Sequence, residues 1–277
     1  MTPSISQQLP AKPDVVALAA TIEAEDGAPP LSDQAIAQLG DPAVTHLVAH
    51  DGERLVGYAQ RDGDSLEIAA APDAVLDLLD AAGDGPLLVW SHGRGSRLQA
   101  PLEQAGFVRD RELHQLRRPI DDEHPLPPDP PLTDDIAVRA FVPGTDDDAW
   151  LALNAAAFNH HPEQGGWDER DLQARMAESW FDPAGFLLAE RPGALVGFHW
   201  TKIHPDGIGE VYVLGVSPDA QGLGLGRALL VRGLRHLAGR GCPAVLLYVD
   251  GDNAAAMHLY ARDRFVTHDL DVQWRRP

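Results

Sequence analysis

A single cysteine, Cys242, leaves the chain without a partner for an internal disulfide and suits a reducing compartment. It stands just before an apolar run, Ala244 to Val249, which marks it as a core residue rather than a nucleophile. No stretch is apolar for long enough to cross a bilayer, and the first residues lack the basic and apolar blocks of a secretion leader. A cytoplasmic location without a membrane partner is therefore expected. Positive charge is scarce. The 22 Lys and Arg face 42 Asp and Glu, a formal net charge of −20, which argues against nucleic acid as a partner and disfavours a large anionic substrate. The 12 histidines do not fall at metal-ligand spacing with cysteine or acidic residues, so no metal is expected, and His160-His161 reads as a polar loop pair. What remains is a chain of 277 residues, long for one compact domain and right for two.

The densest signal is Gln221-Gly222-Leu223-Gly224-Leu225-Gly226-Arg227. It lies between an apolar run, Val211 to Val216, and a helical pattern from Ala228, so a strand feeds a glycine turn that opens a helix. The first N–H groups of a helix have no partner within it, and the helix dipole adds partial positive charge there. Glycines let the main chain approach an anion, which makes such a turn a cradle for pyrophosphate. A Walker loop needs Gly-Lys-Ser/Thr, and Arg227-Ala228 stand there instead. A dinucleotide fingerprint is matched only as Gly-x-Gly-x-Gly, with Asp250 at the end of the next apolar run; that reading and a plain glycine turn stay open on these residues alone.

The pattern Gln-x-x-Gly-x-Gly resembles the acyl-CoA loop of the GNAT N-acetyltransferase superfamily. Downstream, Ala244 to Val249 reads as a buried strand, followed by Asn253, Ala256, Tyr260 and Phe265. That spacing resembles the superfamily's second signature, Asn-x-x-Ala-x-x-x-Tyr-x-x-x-x-Phe. The superfamily usually has Gly before the last Phe, where this chain has Arg264. The stretches His161 to Trp167, Gly197 to Lys202 and Gly209 to Val216, with an Arg-Arg-Pro at 117–119, resemble the mycothiol synthase family more closely. The resemblance implies an α/β fold: two tandem GNAT domains, each a twisted mixed sheet flanked by helices. It also implies acetyl transfer from acetyl-CoA to the cysteinyl amine of a thiol–sugar, the cysteine–glucosamine–inositol conjugate, as the last step of mycothiol synthesis in actinobacteria, with a monomer expected.

Carried over residue by residue, Glu210 matches the general base and Tyr260 the general acid. Leu214, Gly215 and Val216 match a CoA-binding strand, and Gln221, Gly222, Leu223, Gly224, Leu225, Gly226 and Arg227 the pyrophosphate loop. Asn253, Ala254, Ala255, Ala256, Met257 and His258 match the flanking helix start. Asp33, Glu163, Lys202, Glu210 and Tyr248 match substrate contacts. Chemically, a carboxylate at the start of the strand that leads into the loop can take the ammonium proton, a phenol can protonate the departing thiolate, and positioning supplies much of the rate.

The two halves repeat. Residues 86–119 and 244–277 align at an offset of 158, and residues 47–60 and 187–200 at 140. Glu67 then pairs with Glu210 at 143, so about 15 residues are missing from the first half between Glu67 and Pro86. The missing part is the glycine loop and the start of its helix. Gly95 stands at the position of Asn253 and Leu102 at that of Tyr260, so the first half reads as catalytically degenerate, with Ser91-His92-Gly93-Arg94 as its remaining candidate for weak CoA binding. The expected organisation is a flexible tail (1–13), a degenerate domain (14–118), a stiff Pro- and Asp-rich linker (119–135) and a catalytic domain (136–277). Within the latter, Thr145 and Asp148 resemble a capping box for a helix from Ala149 to Phe158. Two rival functions remain: a peptide or protein N-terminal acetyltransferase, which needs an open groove, and a non-catalytic acyl-CoA sensor, which needs neither Glu210 nor Tyr260.

Overall fold

The computed structural model describes residues 3–159 and 162–277, without the side chains of Asp33, Pro162 and Glu163. Its elements run β1 (Ser4–Gln7), α1 (Lys12–Asp26), α2 (Asp33–Ala37), β2 (Thr45–Asp51), β3 (Arg54–Asp62), β4 (Ser65–Ala70), α3 (Pro72–Ala81), β5 (Leu88–Ser91), α4 (Gln99–Gln104) and β6 (Val108–Pro119). There follow β7 (Ala137–Ala140), α5 (Asp147–Ala157), α6 (Pro162–Gly165), α7 (Glu169–Met176), β8 (Phe186–Arg191), β9 (Ala194–Ile203), β10 (Gly209–Val216), α8 (Leu225–Gly239), β11 (Ala244–Asp250), α9 (Ala254–Arg262) and β12 (Val266–Arg275). Two units form by internal contact: Met1–Gln115 with Val249–Asn253 and Thr267–Pro277, and Leu116–Tyr248 with Ala254–Val266.

In the first unit β1 to β4 are antiparallel neighbours and β5 runs parallel to β4. Side chains alternate across this sheet. Leu47, Ala49 and Ile68 meet Val75 and Leu78 of α3, while Val48, Tyr58 and Ala69 meet Val15, Ala19 and Ile22 of α1. The last strand of the second repeat, β12, pairs antiparallel with β5, from Val272 opposite Ser91 to Arg275 opposite Leu88. Its Val272 and Trp274 enter the core of the first unit. The 1–13 segment, expected as a tail, contains β1, which pairs along β2 and lays Ile5 on the same core.

In the second unit β7, β8, β9 and β10 are antiparallel and β11 runs parallel to β10. One face carries α5 and α7 over an aromatic core of Phe141, Trp150, Phe186, Phe198 and Trp200; Leu225 and Leu229 of α8 pack on the other. Residues 119–135 are not a free spacer. Arg118 is 1% exposed, and its guanidinium donates to the carbonyls of Pro119, His124, Pro125 and Asp263. The segment thus wraps a buried cation, and Arg235 donates to the Pro127 carbonyl further along. The Thr145 capping box does not form: α5 starts at Asp147, with Asp146 held instead by Arg139 and the Val142 N–H. A reciprocal box forms at Asp168 and Asp171, opening α7.

The repeat is visible element by element. In the second unit a 3-10 turn and a glycine turn, residues 217–224, separate β10 from α8, which has 15 residues. In the first, Ala71 alone separates β4 from α3, which has 10.

Candidate active site

Glu210 is 7% exposed on β10, and the antiparallel register sets it opposite Lys202 of β9. The strands are joined by a Pro-Asp-Gly turn at 205–207, closed by bonds from the His204 N–H to the Ile208 carbonyl and from the Gly207 N–H to the His204 carbonyl. The Asp206 side chain accepts from the Ile208 N–H and tightens it. Residues two apart on a strand share a face, so His204 and Lys202 both reach Glu210. His204 Nε2 lies 2.8 Å and Lys202 Nζ 3.8 Å from the same oxygen, Oε2. Among the described residues no group bonds Oε1. The Lys202 ammonium also sits 5.2 Å from the Trp180 ring centre and 5.5 Å from that of Tyr212.

Past Glu210 the strands part. The parallel pairing of β10 with β11 comprises Gly209 with Val245 and Glu210 with Leu246. On its other edge β10 stays paired to β9 as far as Val216, with an irregularity at Tyr212. Leu214, Gly215 and Val216 lie beyond the last pair of β10 with β11. Tyr248 of β11 is 47% exposed beyond the last pair.

The glycine loop follows. Gly222 and Gly224 have φ of 77° and 76°, the left-handed region that a side chain disfavours. The first helical bond of α8 runs from the Ala228 N–H to the Gly224 carbonyl, and the N–H groups of Gly222 to Arg227 make no bond to another described protein group. Six successive donors without a protein acceptor at a helix start suit a pyrophosphate. A Cβ on Gly226 would lie 3.6 Å from Val216 and 3.9 Å from Leu259, so the end of β10, the start of α8 and the body of α9 converge here. Arg227 offers its main chain only, since its guanidinium is paired bidentately with the buried Asp263. Asn253 precedes α9, whose first turn spans Ala254 to Met257 with His258 next; these residues lie at the surface or half-buried. Tyr260 is buried against Phe265, and its burial pushes the phenol pKa well up, so it stays protonated. No described protein group bonds its hydroxyl.

The side chains of Asp33 and Glu163, expected as substrate contacts, lie outside the described residues. His204 carried no motif. The signal for it was the Pro-Asp-Gly turn, which sets the register that brings 202, 204 and 210 to one face. Among the described residues no group of three His, Cys, Asp or Glu is arranged to hold a metal.

The first unit treats the same positions differently. Glu67 accepts the Ser32 hydroxyl on Oε1 at 2.6 Å and the Ser32 N–H on Oε2 at 2.7 Å, so both oxygens are occupied. His92 Nε2 lies 3.9 Å from Glu67 and its Nδ1 3.3 Å from Asp271. Burial disfavours its charge, but the neighbouring Asp271 and Glu67 carboxylates outweigh this and push its pKa up to about 9. The N–H groups of Gly93 and Arg94, the remaining candidates there for a phosphate, donate to Asp271 and Asp269.

Residues 149–264 match the family model described as the acetyltransferase (GNAT) family. The mycothiol acetyltransferase of Streptomyces coelicolor is 49% identical over 280 residues, covering 94% of this chain and 90% of that protein. Among solved structures, a GCN5-related N-acetyltransferase from Sphaerobacter thermophilus superposes with a TM-score of 0.70 at 22% identity, over 98% of this chain and 95% of that one. A tandem GNAT protein from the clavulanic acid biosynthesis pathway does so with a TM-score of 0.69 at 17% identity, over 99% and 98%.

Proposed function

The chain belongs to the mycothiol acetyltransferase family of GNAT acetyltransferases, and from that membership we propose that its second unit moves acetyl from acetyl-CoA to the cysteinyl amine of the cysteine–glucosamine–inositol conjugate. Acetyl-CoA supplies an activated thioester, and GNAT enzymes use it as donor. The open N–H groups of Gly222 to Arg227 hold its pyrophosphate, with the edge of Leu214 to Val216 and the start of α9 from Asn253 to His258 alongside. Lys202 and Tyr248 contact the polyol. Glu210 takes the ammonium proton on Oε1, directly or through water, and Tyr260 gives its phenolic proton to the departing sulfur. The observation that carries this reading is the Glu210 carboxylate, held by one oxygen and open at the other, against a first-unit counterpart with both oxygens occupied.

The test mixes the protein with acetyl-CoA and the conjugate and follows free CoA thiol, with a short peptide as rival acceptor. Release with the conjugate, falling about 10²–10⁴-fold in kcat for Glu210→Gln, is expected. Release with the peptide alone transfers the reading to peptide acetylation, and binding without turnover of either rejects it.

A further inference from the structure

We propose that His204 is a positioning residue for the base: by donating from Nε2 to Oε2 it fixes the Glu210 carboxylate so that Oε1 alone faces the acceptor amine. The inference rests on Glu210 as the base. Three observations support it. The 2.8 Å contact is the shortest that Glu210 makes, and Lys202 stands a full ångström further off, shared with the faces of Trp180 and Tyr212. The hairpin turn that carries His204 is closed by two main-chain bonds and the Asp206 cap, so the imidazole is presented from a rigid mount. The repeat provides an internal control. Glu67 stands where Glu210 does, but Ser32 takes both its oxygens and His92 is 3.9 Å away, and that copy has lost the loop that completes a donor site. A carboxylate held through one oxygen presents the other to a substrate; one engaged on both oxygens is less available as a base.

The step at Glu210 is that a proton leaves the ammonium nitrogen for Oε1 while the amine gains its free pair, before nitrogen bonds the acetyl carbon and the C–S bond breaks; His204 only holds the carboxylate. A hydrogen bond to a charged group carries a tenfold to hundredfold effect when lost. His204→Ala is therefore expected to lower kcat roughly 10–100-fold, with KM for acetyl-CoA unchanged. His204→Gln, whose amide N–H can reach the same oxygen, is expected to recover activity to within about threefold of the parent. Tryptophan fluorescence and the melting midpoint of each variant report whether the hairpin is intact. If Ala and Gln behave alike, whether both active or both impaired, the proposal is overturned while the role of Glu210 stands on its own variant. If Glu210→Gln keeps full activity, both readings fall together.

Discussion

Arg264 has a φ of 66°, the one non-glycine residue in the left-handed region among those described. It closes α9 with paired bonds, from the Phe265 N–H to the Tyr260 carbonyl and from the Arg264 N–H to the Ala261 carbonyl. This is the Schellman arrangement, which favours glycine at the left-handed position. The first repeat shows why. Gly106 occupies the matching position with φ of 80°, and Phe107 and Gly106 bond to Leu102 and Glu103 in the same way. The left-handed region costs an ordinary side chain about 1–2 kcal/mol, and glycine gives part of that back through a freer unfolded chain. The Arg264 side chain returns little, a 3.4 Å bond to the Glu123 carbonyl. It also adds repulsion to the buried Arg118, whose pKa is lowered chiefly by burial. Arg264→Gly should raise stability by about 1 kcal/mol, read as a higher urea midpoint; a lower midpoint would show that the guanidinium anchors the 119–135 segment.

The helix α8 lies close on β9. Gly233 faces the imidazole of His199, and a Cβ there would stand 2.0–2.1 Å from ring atoms. The missing side chain opens the Leu229 carbonyl, which accepts the His199 Nδ1–H at 2.9 Å. Two effects oppose in Gly233→Ala. Helix propensity favours Ala by about 1 kcal/mol, and overpacking a rigid buried ring costs about 1–3 kcal/mol. Packing should win, for a net loss of about 1–2 kcal/mol in urea unfolding, and a gain in stability would mean that β9 yields.

At this scale the sequence was partly legible. Strand, glycine turn and helix around 211–239, and the helix from Asn253 to Tyr260, follow from hydrophobic period and glycine placement, which are local signals. The repeat exposed the missing loop because equal spacing survives where identity does not. Three things were hidden. β12 pairs with β5, a partner 180 or so positions away, and period alone names no partner. Residues 119–135 read as a spacer because Pro and Asp describe their own backbone, not the Arg118 they enclose. His204 needed the register of a hairpin before its side chain could be assigned to anything.

Across the whole molecule, one histidine is strongly shifted in each unit among the described residues, and the two shifts have opposite signs. His92 in the first unit is raised to about 9 from an unfolded value of about 6.5. The folded state therefore binds the extra proton; the contribution is complete below about 6.5 and is lost as pH rises through about 9. His199 in the second unit is fully buried and lowered to about 4, because burial outweighs its bond to the Leu229 carbonyl. There the unfolded chain binds the extra proton between about 4 and 6.5, so stability falls as pH drops through that window. His236, also lowered by burial, acts in the same direction. Each principal shift corresponds to roughly 3 kcal/mol, to the nearest whole unit, at the limit of its window. The formal charge of −20 lays a general pH dependence over both, which comparison of variant with parent subtracts. Hydrogen exchange measured segment by segment and corrected for intrinsic rate should therefore show β9 and α8 losing protection from pH 7 to 5 while β4 and β5 keep theirs, and the reverse from pH 7 to 9. His92→Gln should flatten the alkaline loss in β4 and β5 and leave the acid loss in β9 untouched. If the alkaline loss persists in that variant, the Glu67–His92–Asp271 cluster does not hold the first unit together in the way its geometry implies.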